Sequence, residues 1–319
     1  MKTKILVFML TCLLAATAAF ARGEEEAATA VARTGEPQYG GTLTMFGRGQ
    51  FVDAPAPDRM LSSGNTWDFI AQSFQEMPLV GDFEKYGPRG TGEFDFTLRG
   101  YSYLKYMKGA LLESWEITSE KLIWNVRPGV YWHGNKPHVM ESREFTADDM
   151  VFYVNRMKAA PAGTEIRKIF GDVYSTDRYT CIIEWSELGY NSSGMYFIGY
   201  EDRCNVEPPE TVAAGAAEWE NHVGTGPFMN TEYVYGSYFK FERNPNYWGT
   251  TTIDGTEYQL PFADEVIRPI MPDVATQMAA LRTGVVDWFE DVPTTQWDDL
   301  EKTAPELILS KNVAARGYG

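Results

Sequence analysis

The sequence predicts a mixed α/β fold, and three observations carry that reading. Leu112-Glu113-Ser114-Trp115-Glu116-Ile117 and Tyr238-Phe239-Lys240-Phe241-Glu242 alternate with the two-residue period of half-buried strands. Met150, Val151, Val154 and Met157 instead recur on one helix face, behind a Thr146 to Asp149 capping pattern. The length of 319 residues, with 44% hydrophobic and 23% charged side chains, suits one large core or two domains and excludes a disordered chain.

Taken in order, Gly40 to Phe46 reads as a strand entered through glycines, and residues 47–66 as a loop rich in Pro, Ser and Gly. Leu112 to Ile117 and Leu122 to Val126 read as two strands joined by the polar turn Thr118 to Lys121. Arg127-Pro128-Gly129 then turns the chain. The helix from Thr146 follows, then the strand-like run Tyr179 to Ile183. Residues 208–227 hold Pro208-Pro209, an Ala-rich helix candidate and the Gly224-Thr225-Gly226-Pro227 turn. Val266 to Met271 reads as a strand. Ala275 to Arg282 reads as a helix started by Pro272-Asp273 and stopped by Gly284, and Val285 to Phe289 returns as a strand.

The N-terminus reads as a targeting segment. Lys2 and Lys4 precede an apolar run from Ile5 to Phe20, shorter than the roughly 20 residues that span a bilayer. Ala19-Phe20-Ala21 is a small-x-small cleavage site, which predicts a signal peptide 1–21 and a flexible leader 22–38. An uncleaved anchor is the alternative. Cys12 is no lipobox cysteine, because Met9 and Thr11 stand where Leu and a small residue belong. Export would put Cys181 and Cys204 in an oxidising compartment, where a disulfide competes with two free thiols.

The formal charge of −16 argues against nucleic acid or an anionic membrane as partner. Three Cys and three His argue against a metal centre, and His133 and His138 are a weak pair in a loop. No nucleophile elbow, phosphate loop, metalloprotease motif or dinucleotide fingerprint occurs, so no catalytic residue and no cofactor is assigned. Asp148-Asp149 and Asp298-Asp299 read as helix-start charges. Aromatic residues make up 14%; most belong to a core, and some suit a groove that stacks an apolar or sugar-like ligand.

Five blocks, in order, carry a family likeness: Leu111 to Ile117 with Trp124 to His133; Phe145 to Phe152; Gly224 to Phe228; Phe241 to Trp248; and Ala275 to Asp287. From Gly40 onward the chain resembles the family 5 extracellular solute-binding proteins of ABC importers, the oligopeptide and dipeptide group. Residues 81–110 and 137–144 depart from the usual pattern and read as insertions. The resemblance implies a two-lobed periplasmic-binding-protein (Venus-flytrap) fold, class II-like with an extra lobe. It implies a first lobe over 39–270, with a subdomain inserted at about 81–205. A second lobe would start at 271–319 and be truncated, with a crossing near Arg268 to Asp273. Asp287 and Phe289 would then sit on a strand whose partners are missing, with apolar surface exposed.

Function follows as an expectation of the same resemblance. It implies a free periplasmic monomer that binds oligopeptides or dipeptides by hinge closure and hands them to an inner-membrane permease and its ATPase. An oligosaccharide ligand on the same scaffold is the runner-up; a secreted glycosidase and a chaperone or sensor role are weaker readings. The ligand-binding residues expected in this half are Phe46 and Gly47 at the end of the first strand, then Trp67, Thr225 and Gly226. Core packing competes for Trp67, and a strand-holding turn competes for Thr225 and Gly226.

Overall fold

The computed structural model describes residues 36–47, 70–87, 90–94, 96, 103–134, 136, 138–186, 199, 205–290 and 292–309. The signal-peptide positions, leader residues 22–35, Trp67 and Cys204 lie outside them. Strand β1 (Thr42–Phe46) opens this part of the chain. β2 (Leu79–Gly81) and β3 (Met107–Gly109) form an antiparallel pair flanking the short helix α1 (Phe83–Tyr86).

The next segment builds a four-stranded antiparallel sheet from β4 (Leu112–Ile117), β5 (Lys121–Val126), β6 (Phe170–Ser175) and β7 (Thr180–Trp185), in the order β4-β5-β7-β6. The turn before β5 forms because the Thr118 hydroxyl accepts from the Lys121 N–H at 3.0 Å. β5 alternates, sending Leu122, Trp124 and Val126 inward. Helix α2 (Ala147–Ala159) lies against β6 and β7, and α3 (Thr164–Ile169) leads into β6. The capping box at α2 is present: the Thr146 N–H donates to the Asp149 carboxylate at 2.9 Å. Met150, Tyr153, Val154 and Met157 bury their side chains with Trp124, Trp132, Phe145 and Phe170 in the larger core. Each large apolar side chain so buried contributes roughly 1.5–3 kcal/mol. Val151 is half-buried.

After α4 (Pro209–Gly215), β8 (Phe228–Val234) and β9 (Tyr238–Arg243) form a hairpin. β10 (Thr250–Ile253) and β11 (Thr256–Gln259) form a second, turned at Asp254 and Gly255 with φ of 50° and 82°. Such a pair of left-handed residues matches the twist of a two-residue hairpin. β12 (Glu265–Pro269) then enters a five-stranded sheet ordered β13-β1-β12-β9-β8. Phe74, Trp219, Phe239, Phe241 and Val266 fill the core on one face of it. α5 (Val274–Arg282) starts where the Asp273 carboxylate accepts from the Thr276 N–H at 2.8 Å. Gly284, at φ 68°, ends it. β13 (Trp288–Phe289) and α6 (Trp297–Thr303) complete the described elements.

One expectation is corrected here. The chain does not cross to another lobe between Arg268 and Asp273. After α5 it returns to the same sheet, where β13 runs parallel to β1 with Met45 opposite Trp288 and Phe46 opposite Phe289. Phe289 thus has a strand partner, and the strand read over Val285 to Phe289 shortens to two residues. The physical reason is Asp287: its N–H donates to the Thr44 carbonyl at 2.9 Å, and its carboxylate accepts from the Thr44 N–H at 2.7 Å. A second expectation concerns Cys181, which stands as a free thiol among the described residues, while its expected partner Cys204 lies outside them. β7 directs it into the larger core beside Trp124, fully buried, and burial with the charge of Asp148 pushes the thiol up to about 12. Val274, Val285, Trp288 and Ile308 are exposed apolar side chains.

Candidate ligand-binding edge

Three parallel strands, β1, β12 and β13, end on one side of the five-stranded sheet. The carboxyl ends of parallel strands, with the loops that leave them, are where open α/β sheets form ligand crevices. Here those ends present Phe46-Gly47, Pro269-Ile270 and Phe289-Glu290. A recess opens among them, lined by Met45, Gly47, Ile70, Phe239, Arg268 and Ile270.

The edge separates the two predicted residues of β1. Phe46 is a packing residue: it is buried with Ala280 and Val286, its ring lies 4.8 Å from that of Phe289, and its carbonyl accepts from the Glu290 N–H at 2.9 Å. Gly47 faces the recess. A β-carbon there would fall 3.2 Å from Oε2 of Glu290, so the missing side chain lets that carboxylate approach the end of β1. Arg268 comes from the middle strand, on the face that carries Val266 two residues before it. Its Nε is buried and has no hydrogen-bond partner. Burial pushes the guanidinium down to about 10, against the opposing pull of Glu290.

Thr225 and Gly226 lie in a second buried cluster. The Gly226 N–H donates to the Phe74 carbonyl at 2.9 Å, and the Asn244 amide donates to the Gly226 carbonyl at 3.0 Å. The Thr225 hydroxyl stands beside Glu76, whose carboxylate accepts from Tyr247 and from the Trp248 indole, each at 3.0 Å. Arg127 stacks over the Trp248 ring at 4.5 Å. Burial pushes the Glu76 carboxyl up to about 7, although Trp248, Thr225, Tyr247 and Arg127 all favour its charge. In this geometry the turn locks the Phe74–Glu76 segment to the Asn-Pro-Asn-Tyr-Trp block.

Further buried polar groups tie the elements together, and none of these roles was legible in the sequence. Glu207 meets Arg156 of α2 at 2.6 Å and the His222 ring at 3.1 Å. Burial opposes its charge, but His222 and Arg156 outweigh it and hold the carboxyl below its usual range. His222 lies at the Ala216 carbonyl, 3.1 Å away. His133 exchanges two bonds with Gly224, donating its N–H to the carbonyl and accepting the Gly224 N–H on Nε2. That acceptor role fixes the neutral ring with its proton on Nδ1. Asp149, read as a helix-start charge, also receives a two-pronged pair from Arg143, which joins Glu210 of α4. Among the described residues, no three His, Cys, Asp or Glu side chains group to hold a metal.

Solved structures share this fold. The chain aligns with a periplasmic binding protein of Helicobacter pylori, solved with the peptide STSA, at a TM-score of 0.62 and 20% identity, covering 84% of this chain and 50% of that one. It aligns with the oligopeptide-binding protein of Bacillus subtilis, solved with a nonapeptide, at a TM-score of 0.61 and 21% identity, covering 84% and 47%. These likenesses define the class: the fold is the mixed α/β fold of two-lobed periplasmic binding proteins, and this chain spans about half of theirs. The chain belongs to the bacterial extracellular solute-binding proteins of family 5, whose middle-region model matches residues 107–318.

Curated relatives agree. The chain is 27% identical over 204 residues to heme-binding protein A of Haemophilus influenzae, covering 56% of this chain and 34% of that protein. It is 25% identical over 197 residues to the dipeptide-binding protein of Escherichia coli, covering 54% and 34%. The chain thus spans about a third of the length of the curated relatives it matches. The family consists of solute-binding proteins, not enzymes.

Proposed function

We propose that this protein is the peptide-binding component of an ABC importer. It takes oligopeptides or dipeptides between two lobes and delivers them to an inner-membrane permease and its ATPase. The observation that carries this reading is the family match over residues 107–318, supported by relatives and structures named for peptides. A ligand that touches both lobes only when they close draws the protein into its closed form, which the permease can then distinguish. Extended peptides suit such a cleft, because backbone groups bind one another and side chains enter tolerant, wet pockets. Gly47 contributes by leaving the recess open. Phe46, Thr225 and Gly226 contribute by fixing the walls, and Trp67 is proposed as a further ligand contact. The protein works as a periplasmic monomer after a signal peptide is removed behind Ala21.

The test is native purification from periplasm, denaturation, and mass spectrometry of the released small molecules. Short peptides are the expected cargo. Oligosaccharides or haem, or an empty protein whose melting no peptide shifts, would overturn the reading. An intact mass beginning at Arg22 is expected for the chain itself.

A further inference from the structure

Among the described arginines, most of the partly buried ones have acceptors, whereas the Nε of Arg268 has none. Arg143 pairs with Asp149 and Glu210, Arg156 with Glu207, and Arg243 with Asp264. Arg127 donates to the carbonyls of Gly109, Ala110 and Leu112. Arg268, by contrast, lies opposite Phe239 in the β9–β12 ladder, in a recess whose other walls include Met45, Ile70 and Ile270. Its Nε is buried with no acceptor. Burying a guanidinium without its hydrogen bonds costs several kcal/mol in such surroundings, and the charge of Glu290 at the end of β13 offsets only part of it. The position is also where a ligand would arrive, at the carboxyl ends of β1 and β12, beside the side-chain-free Gly47.

The group is suited to one chemistry. A planar guanidinium whose Nε–H has no acceptor matches a carboxylate, which can accept two parallel N–H bonds from such a group. A chain of net charge −16 repels acidic solutes in general, so accepting one requires a dedicated cation inside the site. We infer that Arg268 receives an acidic group of the bound peptide, a carboxylate presented by its C-terminus or by a Glu or Asp side chain. This inference rests on the peptide-binding reading, and the experiment separates the two.

Four probes are titrated calorimetrically into the full chain and into Arg268→Gln: Ala-Glu-Ala, Ala-Gln-Ala, and the C-terminal amide of each. The glutamine variant is expected to lose about ten- to a hundredfold in affinity for peptides bearing the recognised carboxylate and nothing for the neutral Ala-Gln-Ala amide. The probe that loses its advantage identifies the source: the free acids over their amides for a C-terminus, the Glu peptides over the Gln peptides for a side chain. Equal weakening of all four, or no weakening, overturns the proposal and leaves peptide binding standing. If the wild-type chain binds none of them, the peptide reading fails instead. The proposal is then decided with glutarate, followed on the Arg268 Nε–H NMR resonance: a saturable shift upholds a carboxylate site, and no shift overturns it. Should Arg268→Gln melt early, Arg268→Met replaces it, since it keeps the packed stem.

Discussion

A β-carbon on Gly224 would fall 1.8 Å from the Phe74 carbonyl oxygen, inside any van der Waals contact. Gly224→Ala must therefore displace the turn, together with the His133 and Phe74 bonds it carries. A loss of about 3 kcal/mol in a denaturant titration is expected, with an unchanged midpoint as the contrary result. The glycine was visible in the sequence, but its reason was not, because the carbonyl it must clear lies far away along the chain. Glu76 gives the second residue-scale expectation. Its carboxyl is raised from 4.5 to about 7, so the folded state binds a proton more readily than the unfolded one. The stability this group contributes is full below pH 4.5 and lost as pH rises toward 7, by up to roughly 3 kcal/mol. Glu76→Gln should flatten that stretch of the stability-against-pH curve. A variant that declines over the same range as the wild type would exclude Glu76 as the cause.

At the scale of the element, what the sequence revealed depended on how local the forces are. α2 and α5 were legible because their caps, Thr146 with Asp149 and Asp273, act within three residues. β5 and β9 were legible because one face of each is buried in strict alternation. β8 escaped because a bulge between Asn230 and Glu232 breaks its pattern, leaving Asn230 as its buried residue. The β10–β11 hairpin carried its Asp254-Gly255 turn signal in plain view, but its Thr-rich strands lack an apolar face. β13 was overread, since two ladder pairs and one carboxylate, not a long hydrophobic run, hold it. Asp287→Ala removes that carboxylate from the Thr44 N–H. A loss of about 1 kcal/mol and roughly fivefold faster exchange of the Thr44 amide should follow; unchanged exchange would mean that the strand pairs hold without it.

At the scale of the whole molecule, the two-lobed class followed from five ordered blocks of sequence, whereas the composition of the binding edge did not. Gly47 was picked out because it ends the first strand. Arg268 was not, because its isolation depends on what β1, β9 and the residue at Ile70 put around it, and no spacing within β12 encodes that. Nor could the sequence tell that Phe46, one position before Gly47, turns into the core. Both outcomes follow from sheet order, a property of pairings between distant segments.

That order also sets a timetable. The four-stranded sheet takes all its strands from residues 112–185, and hairpins supply most of its joints. β1 waits much longer: its contact with β12 spans 223 positions, and its contact with Asp287 spans 243. Closing so wide a loop is slow compared with zipping neighbouring strands. β1 is therefore expected to be the last strand of the five-stranded sheet to find its place. Pulse-labelled hydrogen exchange during refolding should show amides of β5 and β7 protected before those of β1, and the reverse order would contradict this sequence of events.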